Sequence, residues 1–355
     1  MAGIDDARRT LFLAKADLEL PDSVLAALPA ASDADLGLSP AVLRAALKAF
    51  GLGEDATWHR IASQGTFHRL YDVLSPEGGA RLLRVSTLRG DESAQLMELE
   101  CRLTEALRHA GLPVCHCDWR RVGEGPEARG AHLVERAPGA SLSTRDDDEI
   151  AMRAALGYVG RFLATLHGIS GRGYGPLSHA GLASEPRRLE GLHERWDDYV
   201  FLRLEDHLVR CVAAGAMNES EARDSRAHFD ATREALRAQR PALLHGDPGS
   251  HNVIVDAEGI RAVIDWEDAL LGDALFDLAS LATFHPERRH DAIFAGYGIA
   301  LEADADARRR FWLYFLRIAL AKTVHRLRFG TADRPGRPPA SGRIQLALGR
   351  LAEGA

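Results

Sequence analysis

Residues 245–265 read His-Gly-Asp-Pro-Gly-Ser-His-Asn-Val-Ile-Val-Asp-Ala-Glu-Gly-Ile-Arg-Ala-Val-Ile-Asp. Two β-branched runs, Val253–Asp256 and Arg261–Ile264, flank the turn signal Ala257-Glu258-Gly259 and predict a hairpin. With Asp256 facing Arg261, the same register sets Asn252 opposite Asp265, their Cβ atoms about 5 Å apart on one face. An amide oxygen and a carboxylate that close suit Mg2+, a hard cation that takes oxygen ligands and keeps waters and phosphates in its other positions. Asp247 lies five residues before Asn252 in a loop bearing Gly and Pro, where a base or orienter for an attacking hydroxyl belongs. Asp-x4-Asn-x12-Asp on such strands points to phosphoryl transfer; an ordinary acidic surface loop is the competing reading.

The chain has 355 residues, which suggests one two-lobed domain or two small ones. Hydrophobic content of 46% and charged content of 27% are those of a globular protein. A net charge of −7 argues against nucleic-acid binding driven by overall electrostatics and suits a cationic small molecule. No apolar run reaches the ~18 residues of a membrane span. Met1-Ala-Gly-Ile-Asp-Asp shows no signal-peptide pattern, so a cytoplasmic location is expected, with no membrane partner. Cys101, Cys115, Cys117 and Cys211 do not form a disulfide framework in so long a chain. Cys115-His116-Cys117 finds no second ligand pair and reads as buried thiols at a strand start. Only Lys15, Lys48 and Lys322 are lysines, so none between Lys48 and Lys322 can contact a nucleotide.

Residues 1–39 read as an accessory extension, helical around Asp5–Leu20 and mobile near Pro29–Pro40. Pro40 opens a helix with Val42, Leu43, Ala46, Leu47 and Phe50 on one face and Gly51 as its stop. Three antiparallel strands follow from Trp58, then a helix over 92–109 and strands near Val114–Arg121 and from Ala131. Beyond Leu142 the pattern is helical: 146–170, 189–214, 219–240, 274–284, 288–297 and 307–328, with a closing helix near 343–352. No G-x-x-x-x-G-K-[ST] occurs, which excludes a P-loop enzyme.

Leu244-His-Gly-Asp-Pro-Gly-Ser-His-Asn-Val-Ile-Val and Ala262-Val-Ile-Asp-Trp-Glu-Asp-Ala-Leu-Leu-Gly-Asp-Ala-Leu-Phe-Asp-Leu-Ala resemble the two signature motifs of the aminoglycoside phosphotransferase family. Leu82-Leu-Arg-Val, Ala164-Thr-Leu-His-Gly, Trp196-Asp-Asp-Tyr and Tyr314-Phe-Leu-Arg-Ile-Ala-Leu extend the likeness, which is greatest to the hygromycin B phosphotransferase branch and covers about residues 40–330. The resemblance implies an α+β, protein-kinase-like bilobal fold. Its β-rich N-lobe would be 40–137 and its mainly helical C-lobe 138–330, with 1–39 an N-terminal extension and 331–355 a C-terminal tail.

By the same resemblance Asp247 is the catalytic aspartate. Asn252 and Asp265 hold Mg2+ against the phosphates of ATP, with GTP an open alternative. His245 is a structural residue that packs the loop, with a general base as the competing reading. Ser63 and Gly65, in Ser63-Gln-Gly-Thr-Phe, belong to the nucleotide-positioning turn. Arg84 takes the phosphate-binding strand position, oriented by Glu100, with an ordinary surface pair as the competing reading. Val134 and Arg136 lie in the hinge whose backbone meets adenine. Glu267 and Asp268 sit at the cleft mouth and are candidates for binding substrate cations, as are Asp197 and Asp198, for which a solvated helix face is an equal reading. Asp273 and Asp277 anchor loops and cap a helix.

The implied activity is O-phosphorylation of a small-molecule hydroxyl by ATP, with a cationic acceptor such as an aminoglycoside antibiotic. The protein would be a monomer or weak homodimer. One rival is a metabolic kinase for an amino alcohol, sugar or fructosamine-like metabolite; another is a nucleotide-binding pseudokinase, against which the intact Asp247, Asn252 and Asp265 speak.

Overall fold

The first helices among the described residues are α1 (Ile4–Arg8) and α2 (Pro40–Ala49). The computed structural model describes residues 4–13, 17, 38–53, 55–61, 67–74, 80–145, 148–328 and 340–353. The Ser39 hydroxyl caps α2 by accepting from Val42 N, and Pro40 fills the first turn, where no amide donor is needed. Strands β1 (Thr57–Ile61), β2 (His68–Leu74) and β3 (Arg81–Ser86) form the expected antiparallel meander. Helix α3 (Asp91–His109) then leads to β4 (Cys117–Val122) and β5 (Arg129–Glu135). The five strands lie in the order β1-β2-β3-β5-β4. Leu43, Ala46 and Leu47 of α2 pack with Tyr71, Val73, Leu83, Val85, Val122 and Ala131 in a small core of their own.

The second, mainly helical part begins with β6 (Ala140–Ser141), α4 (Glu149–Leu166), β7 (Tyr174–Leu177), α5 (His179–Ala183) and β8 (Gly191–His193). It continues through α6 (Trp196–Val200), α7 (Leu204–Ala213), α8 (Glu219–Arg237), β9 (Ala242–Leu244), β10 (Val253–Val255), β11 (Ile260–Val263) and β12 (Leu270–Gly272). Helices α9 (Leu275–Ala282), α10 (His290–Tyr297), α11 (Ala305–Arg328) and α12 (Ala340–Glu353) complete it. The helix expected over 189–214 is instead broken in two places. Gly191 passes so close to Tyr174 that a Cβ would lie 2.4 Å from its backbone, which makes 191–193 a strand beside β7. Arg203 adopts a left-handed conformation (φ 52°), separating α6 from α7.

The N-terminal segment is not an accessory. Phe12 is fully buried, 5.0 Å from the Tyr199 ring and 6.1 Å from that of Phe276. Asp5 accepts from Ser178 Oγ and from the His179 and Ala180 amides at the start of α5. Asp17 accepts from buried His207 Nε2 at 2.7 Å and from the Phe12 amide at 2.8 Å. The described part of the extension, residues 4–13 and Asp17, is therefore woven into the larger core; its helix ends at Arg8 where one was expected around Asp5–Leu20, and the expected mobile stretch near Pro29–Pro40 lies almost wholly outside the described residues. The closing helix exists as α12, with Ile344, Ala347 and Leu351 buried in the same core. Among the described residues the four cysteines are free, and no helix is long and apolar enough to cross a membrane.

Candidate active site

Strand β9 delivers the chain to His245-Gly246-Asp247. Gly246 has φ +85°, and a Cβ there would lie 2.2 Å from the Asp268 carbonyl oxygen, so only glycine fits this turn. The carboxylate of Asp277 accepts the His245 amide (2.7 Å) and the Gly246 amide (2.9 Å), anchoring the loop as expected. His245 is buried against Trp266, ring centroids 4.5 Å apart. Its Nε2 donates to the Ile264 carbonyl (3.0 Å) and its Nδ1 accepts the Asp247 amide (3.3 Å), a pairing that assigns the neutral tautomer. Burial pushes its pKa down, against the opposing pull of the Asp277 and Asp247 carboxylates. His245 is thus a brace for the loop.

The hairpin forms, but its register differs from the expected one. Val253 faces Val263, and the Ile264 amide donates to the Asn252 carbonyl, so Asn252 lies opposite Ile264 and not Asp265. Val255 pairs with Ile260 and Ile254 with Ala262, which leaves Arg261 as an extra residue. Such a bulge shifts every later pairing by one position, which would turn the next side chain to the other face. Asp265 itself leaves the strand in left-handed conformation (φ 68°, ψ 63°), which re-aims its side chain. Aspartate tolerates that conformation better than most residues, and such backbone strain concentrates at functional sites. Asp256 still meets Arg261, through an ion pair.

Asn252 is 3% exposed, and its Nδ2 donates to the Asp247 carbonyl at 2.9 Å. That bond commits the amine end and leaves the amide oxygen as the end for a hard cation. Asn252 and Asp265 offer oxygen donors of the kind Mg2+ prefers but too few to enclose it, which fits an ion shared with phosphates. No cluster of three or more His, Cys, Asp or Glu suited to a metal occurs among the described residues.

From β3 the Arg84 guanidinium reaches Glu100 Oε2 at 2.5 Å, Asp265 Oδ1 at 2.7 Å and Glu267 Oε2 at 3.4 Å. Burial alone would lower its pKa, but the three carboxylates outweigh it and hold the guanidinium charged. Glu100 also accepts the Trp266 amide at 3.0 Å, binding α3 to the residue after Asp265. The Arg84–Glu100 pair is therefore no surface pair. Ser63 and Gly65 lie outside the described residues. Val134 is paired across the sheet with Leu82 and Cys117. The Arg136 amide donates to the Ala80 carbonyl and its side chain pairs with Asp72, so this residue is held by the strand edge instead of offering its amide to a base.

The acidic candidates are engaged elsewhere. Asp197 is fully buried, accepting from Arg237 Nε at 3.0 Å with Arg233 at 3.5 Å, and Asp198 pairs with Arg195. Asp197 thus ties α6 to α8, and Asp198 is held by Arg195 at the start of α6. Glu267 meets His68 Nε2 at 2.7 Å as well as Arg84. The charge of Asp268 acts on buried Arg8 and on the Tyr199 hydroxyl. Two neighbours of Asp247 were not foreseen. Lys322 Nζ lies 3.4 Å from its Oδ1 and His251 Nε2 lies 3.6 Å from its Oδ2.

A sequence profile of the phosphotransferase enzyme family matches residues 57–312, well over half of the chain. The chain belongs to that family. It is 23% identical over 227 residues to hygromycin-B 4-O-kinase of Escherichia coli, a match spanning 60% of each protein and thus under two thirds of the relative. Its structure is similar to that of a thermostable mutant of aminoglycoside phosphotransferase APH(4)-Ia in ternary complex with AMP-PNP and hygromycin B. The TM-score is 0.63 at 20% identity, covering 89% of this chain and 98% of the other. It is also similar to a Thermobifida fusca protein named for fructosamine-3-kinase activity, with TM-score 0.58 at 20% identity, covering 89% of this chain and all of that one. At such identities the likeness establishes the fold, the α+β, kinase-like bilobal architecture expected from the sequence.

Proposed function

We propose that this phosphotransferase moves the γ-phosphate of ATP to a hydroxyl of a small, polyhydroxylated acceptor. The observation that carries the reading is the convergence of Asp247, Asn252 and Asp265 on one loop and hairpin, with Arg84 reaching Asp265 from the strand-rich lobe. Phosphoryl transfer asks a protein mainly for in-line positioning and charge neutralisation. Asp247 accepts and orients the acceptor hydroxyl, taking its proton as the bond to phosphorus forms. Asn252 holds the Asp247 backbone still and turns its amide oxygen, with the Asp265 carboxylate, toward the nucleotide phosphates. Those two oxygens would hold Mg2+, which would supply charge neutralisation on the phosphates. Arg84 exchanges part of its carboxylate contact for phosphate oxygens, with Glu100 keeping the guanidinium in place.

The acceptor is proposed to be an aminoglycoside-like antibiotic, the class bound by APH(4)-Ia. A second reading, a kinase for a sugar or fructosamine-like metabolite, is favoured by one observation. Asp197, Asp198 and Glu267 already pair with arginines, and Asp247 is itself flanked by Lys322, so these residues give less electrostatic preference for a polycation than their charges suggest. A coupled ADP-release screen against aminoglycosides, amino alcohols, sugars and glycated amines separates the two. Turnover confined to neutral sugars would reject the antibiotic class, and no turnover with any acceptor would reject the kinase reading.

A further inference from the structure

Lys322, the only lysine beyond residue 48, sits on α11 with its ammonium 3.4 Å from Asp247 Oδ1 and 3.3 Å from Thr283 Oγ1. The same nitrogen lies 3.6 Å from the centroid of the Phe284 ring, in cation–π contact. Thr283 and Phe284 directly follow α9, whose Asp277 anchors the backbone of the Asp247 loop. One helix thus fixes the loop and its end seats the lysine. An aspartate carboxylate turns readily about its last torsion, and a seated cation on one oxygen removes that freedom. We propose that Lys322 is a positioning residue for phosphoryl transfer, holding the Asp247 carboxylate in the orientation that meets the acceptor hydroxyl. The inference rests on the reading of Asp247 given above.

The surroundings add a testable signature. Burial lowers the Lys322 pKa to about 8, with Arg343 of α12 and Arg326, one turn along α11, pushing the same way while Asp247 opposes them. His251 faces the second Asp247 oxygen. The Lys322–Asp247 pair should therefore weaken as pH rises through about 8.

The test uses the full chain, with water as acceptor for slow ATP hydrolysis and with the best acceptor from the screen. Lys322→Met should lower kcat about 10- to 100-fold while KM for Mg·ATP stays within about threefold. Lys322→Arg should restore most of kcat and remove the alkaline limb below about pH 10, since an arginine keeps its charge there. With so few lysines, reductive methylation with isotope-labelled methyl groups gives a separate readout by NMR. The Lys322 signal, identified by its loss in Lys322→Arg, should titrate near 8 and should titrate lower in Asp247→Asn, where the favourable charge is gone. A kcat within about twofold of wild type in Lys322→Met would overturn the proposal. So would a loss carried by acceptor KM alone, or a Lys322 midpoint unmoved in Asp247→Asn. Wild-type enzyme without any turnover, but with the coupled midpoint intact, would instead contradict the kinase reading.

Discussion

The Asn252 side-chain amide donates to the main-chain carbonyl of Asp247 at 2.9 Å, so the candidate metal ligand and the candidate catalytic residue are one mechanical unit. Replacing Asn252 by Asp separates the two jobs, because a carboxylate keeps an oxygen ligand but cannot donate that bond. Asn252→Asp should retain Mg·ATP binding and lose about 10²-fold in kcat. Asp265→Ala, which removes a formal charge from the metal, should weaken Mg·ATP binding more than Asn252→Ala does. Calorimetric titration beside steady-state rates checks both; near-native kcat in Asn252→Asp would show that the clamp is dispensable.

Arg84 neutralises Glu100, a carboxylate only 5% exposed. Arg84→Met strands that charge and should cost about 3–5 kcal/mol of stability. Adding Glu100→Gln should recover part of the loss, since Glu100 is then neutral while Asp265 and Glu267 still lose their guanidinium partner. Urea unfolding of the two variants decides it. Equal stability of Arg84→Met and wild type would place the guanidinium outside the structural network.

His132, fully buried on β5 against α3, donates from Nε2 to the Met97 carbonyl at 2.6 Å. Burial, assisted by the Arg84 charge, pushes its pKa down to about 3. The unfolded chain takes up a proton near pH 6.5 and the folded one does not, so stability is full above that pH and falls below it. His132 should account for about 2 kcal/mol of stability lost between pH 7 and 5, and His132→Gln should flatten the curve by that amount. Denaturation at both pH values would show it, and an unchanged slope would contradict the buried neutral imidazole.

Phe12 anchors the N-terminal segment among Tyr199, Phe276 and the Arg317 guanidinium, which lies 3.5 Å from its ring centroid. Phe12→Ala should destabilise the protein by about 3–5 kcal/mol. A loss below about 1 kcal/mol would return this segment to accessory status.

Strand and helix order was legible because periods of 2 and 3.6 survive in single segments, as in α2 and in β1 to β3. The hairpin was legible and its register was not. A bulge at Arg261 depends on how the backbone closes over Asp256, which alternation of side chains does not encode. Asp197 and Asp198 read as substrate groups because sequence displays charge but not its partner. Arg233 and Arg237 reach Asp197 from a helix some 40 residues further on. The contact of Lys322 with Asp247 was not legible for the same reason: 75 residues separate the two, and the packing of α11 on α9 joins them. Phe12 lies in a segment too short and mixed to show a core-facing period.

The central claim is tested most directly by Asp247→Ala, assayed for ADP release and for Mg·ATP affinity in the same preparation. Asp247 should meet the acceptor hydroxyl and not the phosphates. Turnover should fall by about 10²–10⁴-fold while nucleotide affinity stays within about threefold. More than about a tenth of wild-type turnover in Asp247→Ala, with the nucleotide still bound, would contradict the account.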